Sequence, residues 1–198
     1  LIKIEKSHDQ LDNWYANDID RYNSKLKTLP SNKEVGNSKS FVELQKLTKS
    51  KSKKLILVAT LPRSGSTWLF NCVRKIYTVA GRDFYSCWIE DYDPNNESAI
   101  HVVKVHDPEY RLSLQADVIF STRRDIRDIV GSLVRMGWLN IENVPKSISQ
   151  LISVIHPFWY ERSALEVEYN EIISNPQKVI GLVSQCLDIN LNNDEVSS

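Results

Sequence analysis

The chain lacks most of the features by which a sequence announces its class. Three cysteines, Cys72, Cys87 and Cys186, are odd in number and show no CxxC spacing. That excludes a disulfide framework and a zinc site, and predicts reduced thiols in a cytoplasm-like compartment. No apolar run approaches the ~18 residues of a membrane span, and the N-terminus has no signal-peptide apolar core. The expectation is a cytoplasmic chain with no membrane partner. Net charge is also missing: Lys plus Arg and Asp plus Glu stand at 25 each. A general polyanion binder needs an excess of one sign, so nucleic acid is not an expected partner, while a local basic pocket stays possible. There is no internal repeat and no ligand cluster that suggests a metal. Leu1 stands where a methionine would open a complete chain, so a neighbouring domain or a homo-oligomer is an open partner.

What is present divides into two parts. In residues 1–54, Leu11, Trp14, Tyr15, Ile19, Tyr22 and Leu26 recur at helical intervals between Asp9 and Leu29, which predicts an amphipathic helix. A polar loop follows over 30–40, a short helix over 41–47, and a basic Ser-containing linker over 49–54. From Leu55 to Ser198 strand and helix patterns alternate, the signature of an α/β fold with a mostly parallel sheet. Strands are expected near 55–60, 84–89, 100–106, 117–122 and 165–169. Helices are expected near 66–80, 108–115, 126–138, 146–163 and 176–187. In such sheets ligands bind beyond the carboxyl ends of the strands, and the informative motifs all lie at strand ends.

The most informative of them runs from Leu55 to Phe70. A buried strand stops at Pro62-Arg63-Ser64-Gly65-Ser66-Thr67-Trp68, and a helix starts at about Ser66. The first N–H groups of a helix have no partner within it, and its dipole concentrates positive charge where they converge. Gly65 permits close backbone approach, Ser64, Ser66 and Thr67 offer hydroxyls, and Arg63 adds a permanently charged fork. The segment is an anion site; an ordinary capped helix start is the other reading. It is not a Walker A loop, because the Gly-Lys pair that reaches the outer phosphates is absent.

The loop instead resembles the 5′-phosphosulfate loop of the sulfotransferases that use 3′-phosphoadenosine 5′-phosphosulfate (PAPS), Pro-Lys/Arg-Ser-Gly-Ser/Thr-Thr-Trp, at every position. The resemblance covers about Leu55 to Ile189 and implies a three-layer αβα, P-loop-NTPase-like fold, here with an N-terminal helical extension. It assigns Arg63, Ser64, Gly65, Ser66 and Thr67 to the phosphosulfate, and Trp68 to stacking on the adenine.

Three further stretches take meaning from the same resemblance. Asp117 to Ser132 reads as a strand ending in two arginines before an apolar-striped helix. It is similar to the family's 3′-phosphate motif, Arg-Asn-Pro-x-Asp-x-x-x-Ser, which implies Arg124 and Ser132 as ligands; Asp125-Ile126 replaces Asn-Pro, with Asp125 a helix cap. Arg123 is the alternative if the register slips. In Ile100 to Pro108, strand alternation puts Lys104 and His106 on one face and His101 on the other. Imidazole is well suited to deprotonating a hydroxyl near neutral pH. The family's Lys-x-His implies His106 as base and Lys104 near the sulfate, with Arg63 completing the catalytic set. Glu166 to Pro176 resembles the family's Tyr-Glu-Asp segment, with Asn170-Glu171 in place of Glu-Asp, and makes Tyr169 a candidate adenine contact. The family's basic Arg-Lys-Gly segment over the 3′-phosphate has no counterpart after Leu187. Either the chain is truncated or Arg123 and Arg127 share its work.

The expectation is therefore an enzyme moving a sulfuryl group from PAPS to an unidentified small-molecule or carbohydrate acceptor, without a metal, leaving the 3′,5′-bisphosphate PAP. Two rivals stay open: a nucleotide or small-molecule kinase of the same architecture, and a non-catalytic nucleotide-binding module. Trp88, Trp138 and Trp159 are equally explicable as acceptor-pocket and as core residues.

Overall fold

A computed structural model describes residues 53–192 and Glu195 of the protein. The expected helices over 9–29 and 41–47 and the start of the basic linker lie outside the described residues. From Lys54 onward the order is β1 (Lys54–Ala59), α1 (Ser66–Val79), β2 (Tyr85–Trp88), β3 (Ile100–Val105), α2 (Tyr110–Gln115), β4 (Val118–Arg123) and α3 (Ile126–Arg135). Then come α4 (Val144–Gln150), a π-helical turn (Leu151–Ile155), α5 (His156–Tyr160), β5 (Leu165–Glu168), α6 (Tyr169–Ser174) and α7 (Pro176–Cys186).

The five strands form one sheet in the order β2-β3-β1-β4-β5, and every pairing is parallel. Parallel sheets must be covered on both faces, and the side-chain alternation divides the core accordingly. Ile56, Val58, Val102, Phe120 and Val167 pack under α1 and α7, where Leu69, Cys72, Val73 and Ile76 form a stripe at i, i+3, i+4 and i+7. Leu55, Leu57, Ala59, Val103, Val105 and Ile119 face the other way, onto Ile129 and Leu133 of α3 and onto Leu151, Ile155 and Trp159. β1 lies at the centre, and its pairs bring the C-terminal ends of β3, β1 and β4 side by side.

Two departures from the expected elements have local causes. The single helix expected over 146–163 begins two residues earlier and contains a widened turn, closed by His156 N–H on the carbonyl of Leu151. Pro157 has no N–H to give, and its ring collides with the carbonyl four residues before it. A helix that continues through such a residue must adjust the turn ahead of it. The second departure is α6, which periodicity does not signal because six residues are too few. Asn175 separates α6 from α7 in a non-helical conformation, φ −147°, ψ 56°, since proline disfavours the helical region for the residue before it.

Candidate active site

The loop between β1 and α1 is shaped by two residues in the left-handed region, Arg63 at φ 64° and Gly65 at φ 99°. Glycine at 65 is required twice over. A Cβ there would lie 2.9 Å from Ile172 Cδ1 and 3.2 Å from Tyr169 Cδ2, besides holding a strained φ. Gly65 is also the N-cap of α1, and no side chain caps the helix. The first intrahelical bond is donated by Leu69 N–H to Gly65 O at 3.1 Å. The N–H groups of Ser66, Thr67 and Trp68 therefore precede the ladder, as an anion site requires. With no side-chain cap made, the capping alternative for the serines and threonine has no support.

The hydroxyls of this loop are divided between structure and site. Ser64 is fully buried; its Oγ donates to Leu61 O at 2.5 Å and meets Thr122 Oγ1 at 2.5 Å, tying the loop to β4. Ser66 is buried as well. Thr67 is exposed, and its Oγ1 accepts a bond from Lys104 Nζ at 2.8 Å.

Lys104 lies near the end of β3 and is only 3% exposed. Its ammonium sits 4.4 Å from the centre of the Trp88 ring, which the β2–β3 register places directly opposite. Burial pulls its pKa below the usual lysine value. His106, one residue past the strand, points Nδ1 at Thr60 O, 2.6 Å away at the end of β1. A carbonyl can only accept, so this contact assigns the proton to Nδ1 and leaves Nε2 as the basic nitrogen. Burial is the main cause that lowers the His106 pKa, with the Lys104 charge adding to it and the Thr60 carbonyl opposing. The ring is therefore neutral at neutral pH. His101, expected on the opposite face, bonds Tyr92 Oη and Asn96 O near the start of β3, at 3.2 Å each.

Beyond β4 the arrangement changes character. Arg124, 18% exposed by its side chain, donates Nη1 to Arg63 O at 3.0 Å. Its guanidinium carbon stands 4.1 Å from the centre of the Tyr169 ring. Asp128, at i+4, comes only to 3.7 Å, and the buried Nε of Arg124 makes no hydrogen bond. Ser132, buried in α3, accepts from Arg63 Nε at 2.9 Å, so the loop arginine reaches the second arginine's region. Trp138, 63% exposed, lies 5.8 Å from the Arg63 guanidinium. Asp125 caps α3 by accepting from Arg127 N–H at 2.9 Å, as its place in the sequence suggests.

Sequence-derived candidates thus converge in two groups: Thr67, Lys104 and His106, and Arg63, Arg124, Ser132 and Tyr169. Trp68 is half-buried against the core under α1 and lines a groove with Asn71, Cys72 and Lys75, and with Ile180 of α7. The other two arginines are engaged by carboxylates: Arg123 with Glu168, directly opposite on β5, and at 3.6 Å with Glu166; Arg127 with Asp125. Thr60 and Thr122 are the contacts that sequence reading misses, while Trp88 and Trp159, open between pocket and core, meet Lys104 and His106. Only the strand register and the packing of distant segments bring them in. Among the described residues no group of three or more His, Cys, Asp or Glu side chains could hold a metal ion, and no helix is long and apolar enough to cross a membrane.

No family model matches the chain, and no curated protein matches it in sequence. Solved structures match it in fold. A mouse sulfotransferase, SULT7A1, complexed with PAP superposes with a TM-score of 0.56 at 16% identity, over 81% of this chain and 66% of its own. Retinol dehydratase in a complex with retinol and PAP gives 0.52 at 14% identity, over 80% and 67%. A complex of retinol dehydratase with androsterone and PAP gives 0.54 at 14%, over 79% and 66%. The chain has the fold of these proteins, and it spans about two thirds of their length.

Proposed function

We propose that this protein is a PAPS-dependent sulfotransferase acting on a hydroxyl or amine of a small-molecule or carbohydrate acceptor. The observation that carries the reading is the buried Lys104 ammonium, held on Thr67 at the open N-terminus of α1 next to a His106 whose Nε2 is basic. A cation, converging N–H groups and a neutral base in one place suit transfer of an anionic group to a protic acceptor. The residues present fit a donor with a phosphate at each end. Arg124 has a buried Nε without a hydrogen-bond partner beside a second polar cluster, and an anion there would satisfy it.

When bound, PAPS supplies a sulfuryl centre whose bond to the phosphate oxygen breaks as the acceptor atom bonds to sulfur, with PAP leaving. The N–H groups of residues 64–67 and Arg63 hold and neutralise the leaving phosphate end. Lys104 offsets charge on the group in transfer, and His106 Nε2 takes the acceptor's proton. Arg124 and Ser132 fix the 3′-phosphate, with Tyr169 and Trp68 beside the adenine. The work is positioning and electrostatics, so no metal is required of it. The reaction is assigned to residues 55–198, with 1–54 as an extension, and three free thiols accord with a cytoplasmic setting.

Thermal shift with PAP, ATP and AMP tests the donor. PAP should raise the melting temperature most, whereas stabilisation by ATP alone would favour a kinase. Mass spectrometry of mixtures with PAPS and an acceptor panel, scanned for sulfated products, tests the reaction. PAP stabilisation without product from any acceptor would indicate a binding module.

A further inference from the structure

Trp159 is 1% exposed and packs in the core beneath β1, β3 and α3, yet its one polar atom is directed out of that core to the site. The indole Nε1–H donates to the main-chain carbonyl of His106 at 3.0 Å. With Nδ1 bonded to Thr60 O at 2.6 Å, His106 is fixed at both its ring and its backbone, from two different elements. It needs both, because it lies one residue beyond the last paired residue of β3.

Leu151, Ile155 and Trp159 follow one another at i, i+4 and i+8 and share the core face.

We propose that Trp159 is a positioning residue for His106, holding the imidazole where Nε2 can meet the acceptor. This rests on His106 acting as base in the proposed transfer.

The test compares two acceptors in full-length protein with PAPS as donor: an alkyl alcohol, which needs its proton removed, and a nitrophenol, which is largely ionised already. Trp159→Phe keeps a smaller aromatic ring and deletes the donor. Its kcat with the alcohol should fall roughly tenfold, while kcat with the nitrophenol and the affinity for PAP change less than twofold. His106→Ala should show the same selectivity more strongly.

Equal losses with both acceptors, or none with either, would overturn the positioning role even with the reaction established. If the wild-type protein transfers to neither acceptor, the proposed function is what fails. A readout without turnover then still decides the structural part: ¹⁵N-histidine NMR should find His106 in the Nδ1–H tautomer, with the other tautomer gaining population in Trp159→Phe. An unchanged tautomer in that variant would sink the proposal.

Discussion

The two halves of the site hold their charges by opposite means. On the β1–β3 side, Lys104 and His106 are shielded, each is met by one short bond to a neutral partner, and burial moves both pKa values. On the β4–β5 side, Arg123 and Arg127 lie nearer to solvent and are met by carboxylates at Glu166, Glu168 and Asp125, while the less exposed Arg124 has Asp128 only at 3.7 Å. A group in a low-dielectric pocket is ready to act without rearrangement, since its partner oxygens carry no charge that must be displaced. An arginine leaning on a carboxylate must exchange that partner for an incoming anion, and the two energies nearly cancel. On the proposed reading, the first half serves the chemical step and the second the reversible capture of the donor.

The largest test of that contrast is His106→Ala. Loss of a general base costs ~10²–10⁴-fold in turnover with a hydroxyl acceptor. Calorimetry on the same variant should show PAP affinity essentially intact, because the change lies in the chemical half. A parallel drop in PAP affinity would mean that the halves are not separable. Arg124→Ala should behave inversely. A charge-assisted hydrogen bond contributes about 1.5–3 kcal/mol, so PAP affinity should fall ~10–150-fold, with a much smaller change in turnover at saturating donor.

Legibility from sequence differs between the halves in the same way. The β1 loop and the Lys104–His106 pair were readable because strand alternation fixes which side chains share a face, and because the loop glycine has no substitute. Gly65 shows this most directly. Its left-handed φ and its contact with Tyr169 and Ile172 both exclude a side chain. Gly65→Ala should destabilise the protein by about 1–3 kcal/mol, read as a fall in the denaturant midpoint. Arg124 and Ser132 were also readable as positions. What the sequence could not tell was that Arg63, expected at the phosphosulfate alone, also donates to Ser132, nor that Arg123 is occupied by the β5 carboxylates Glu166 and Glu168; surface arginines paired to Asp125 and Asp128 were a local reading, and Arg127 follows it. The Arg63 and Arg123 pairings depend on the β4–β5 register and on rotamers, and neither leaves a local pattern. Trp159 stays open between pocket and core for the related reason that its indole bond to the His106 carbonyl joins segments 53 residues apart.

The pH dependence should separate the halves again. His106 has a pKa lowered from 6.5, so it stays neutral, and basic, to a pH below that value. The acid limb of kcat should lie below pH 6.5. Stability follows the same sign: below about 6.5 the unfolded chain takes up the proton more readily, so the contribution of the neutral buried ring fades as pH falls toward the folded pKa. Lys104, lowered from 10.5, loses its charge earlier than a free lysine, which draws the alkaline limb below 10.5. An acid limb above 6.5 would place the titrating group elsewhere.

The smallest expected effect is the most pointed for the capture half. Glu168 faces Arg123 across the β4–β5 pair, and both side chains are substantially exposed. An exposed pair of this kind contributes ~0–1 kcal/mol, so Glu168→Gln should leave the melting temperature nearly unchanged. Its effect on PAP is more telling. If Arg123 is a reserve ligand for the 3′-phosphate, releasing it from Glu168 should strengthen PAP binding by a few fold, most visibly at low salt, where exposed charges are least screened. If Arg123 serves only to join β4 to β5, affinity stays constant at every salt concentration. Among the described residues the 3′-phosphate is then left to Arg124 and Ser132, with Arg63 reaching across from the loop.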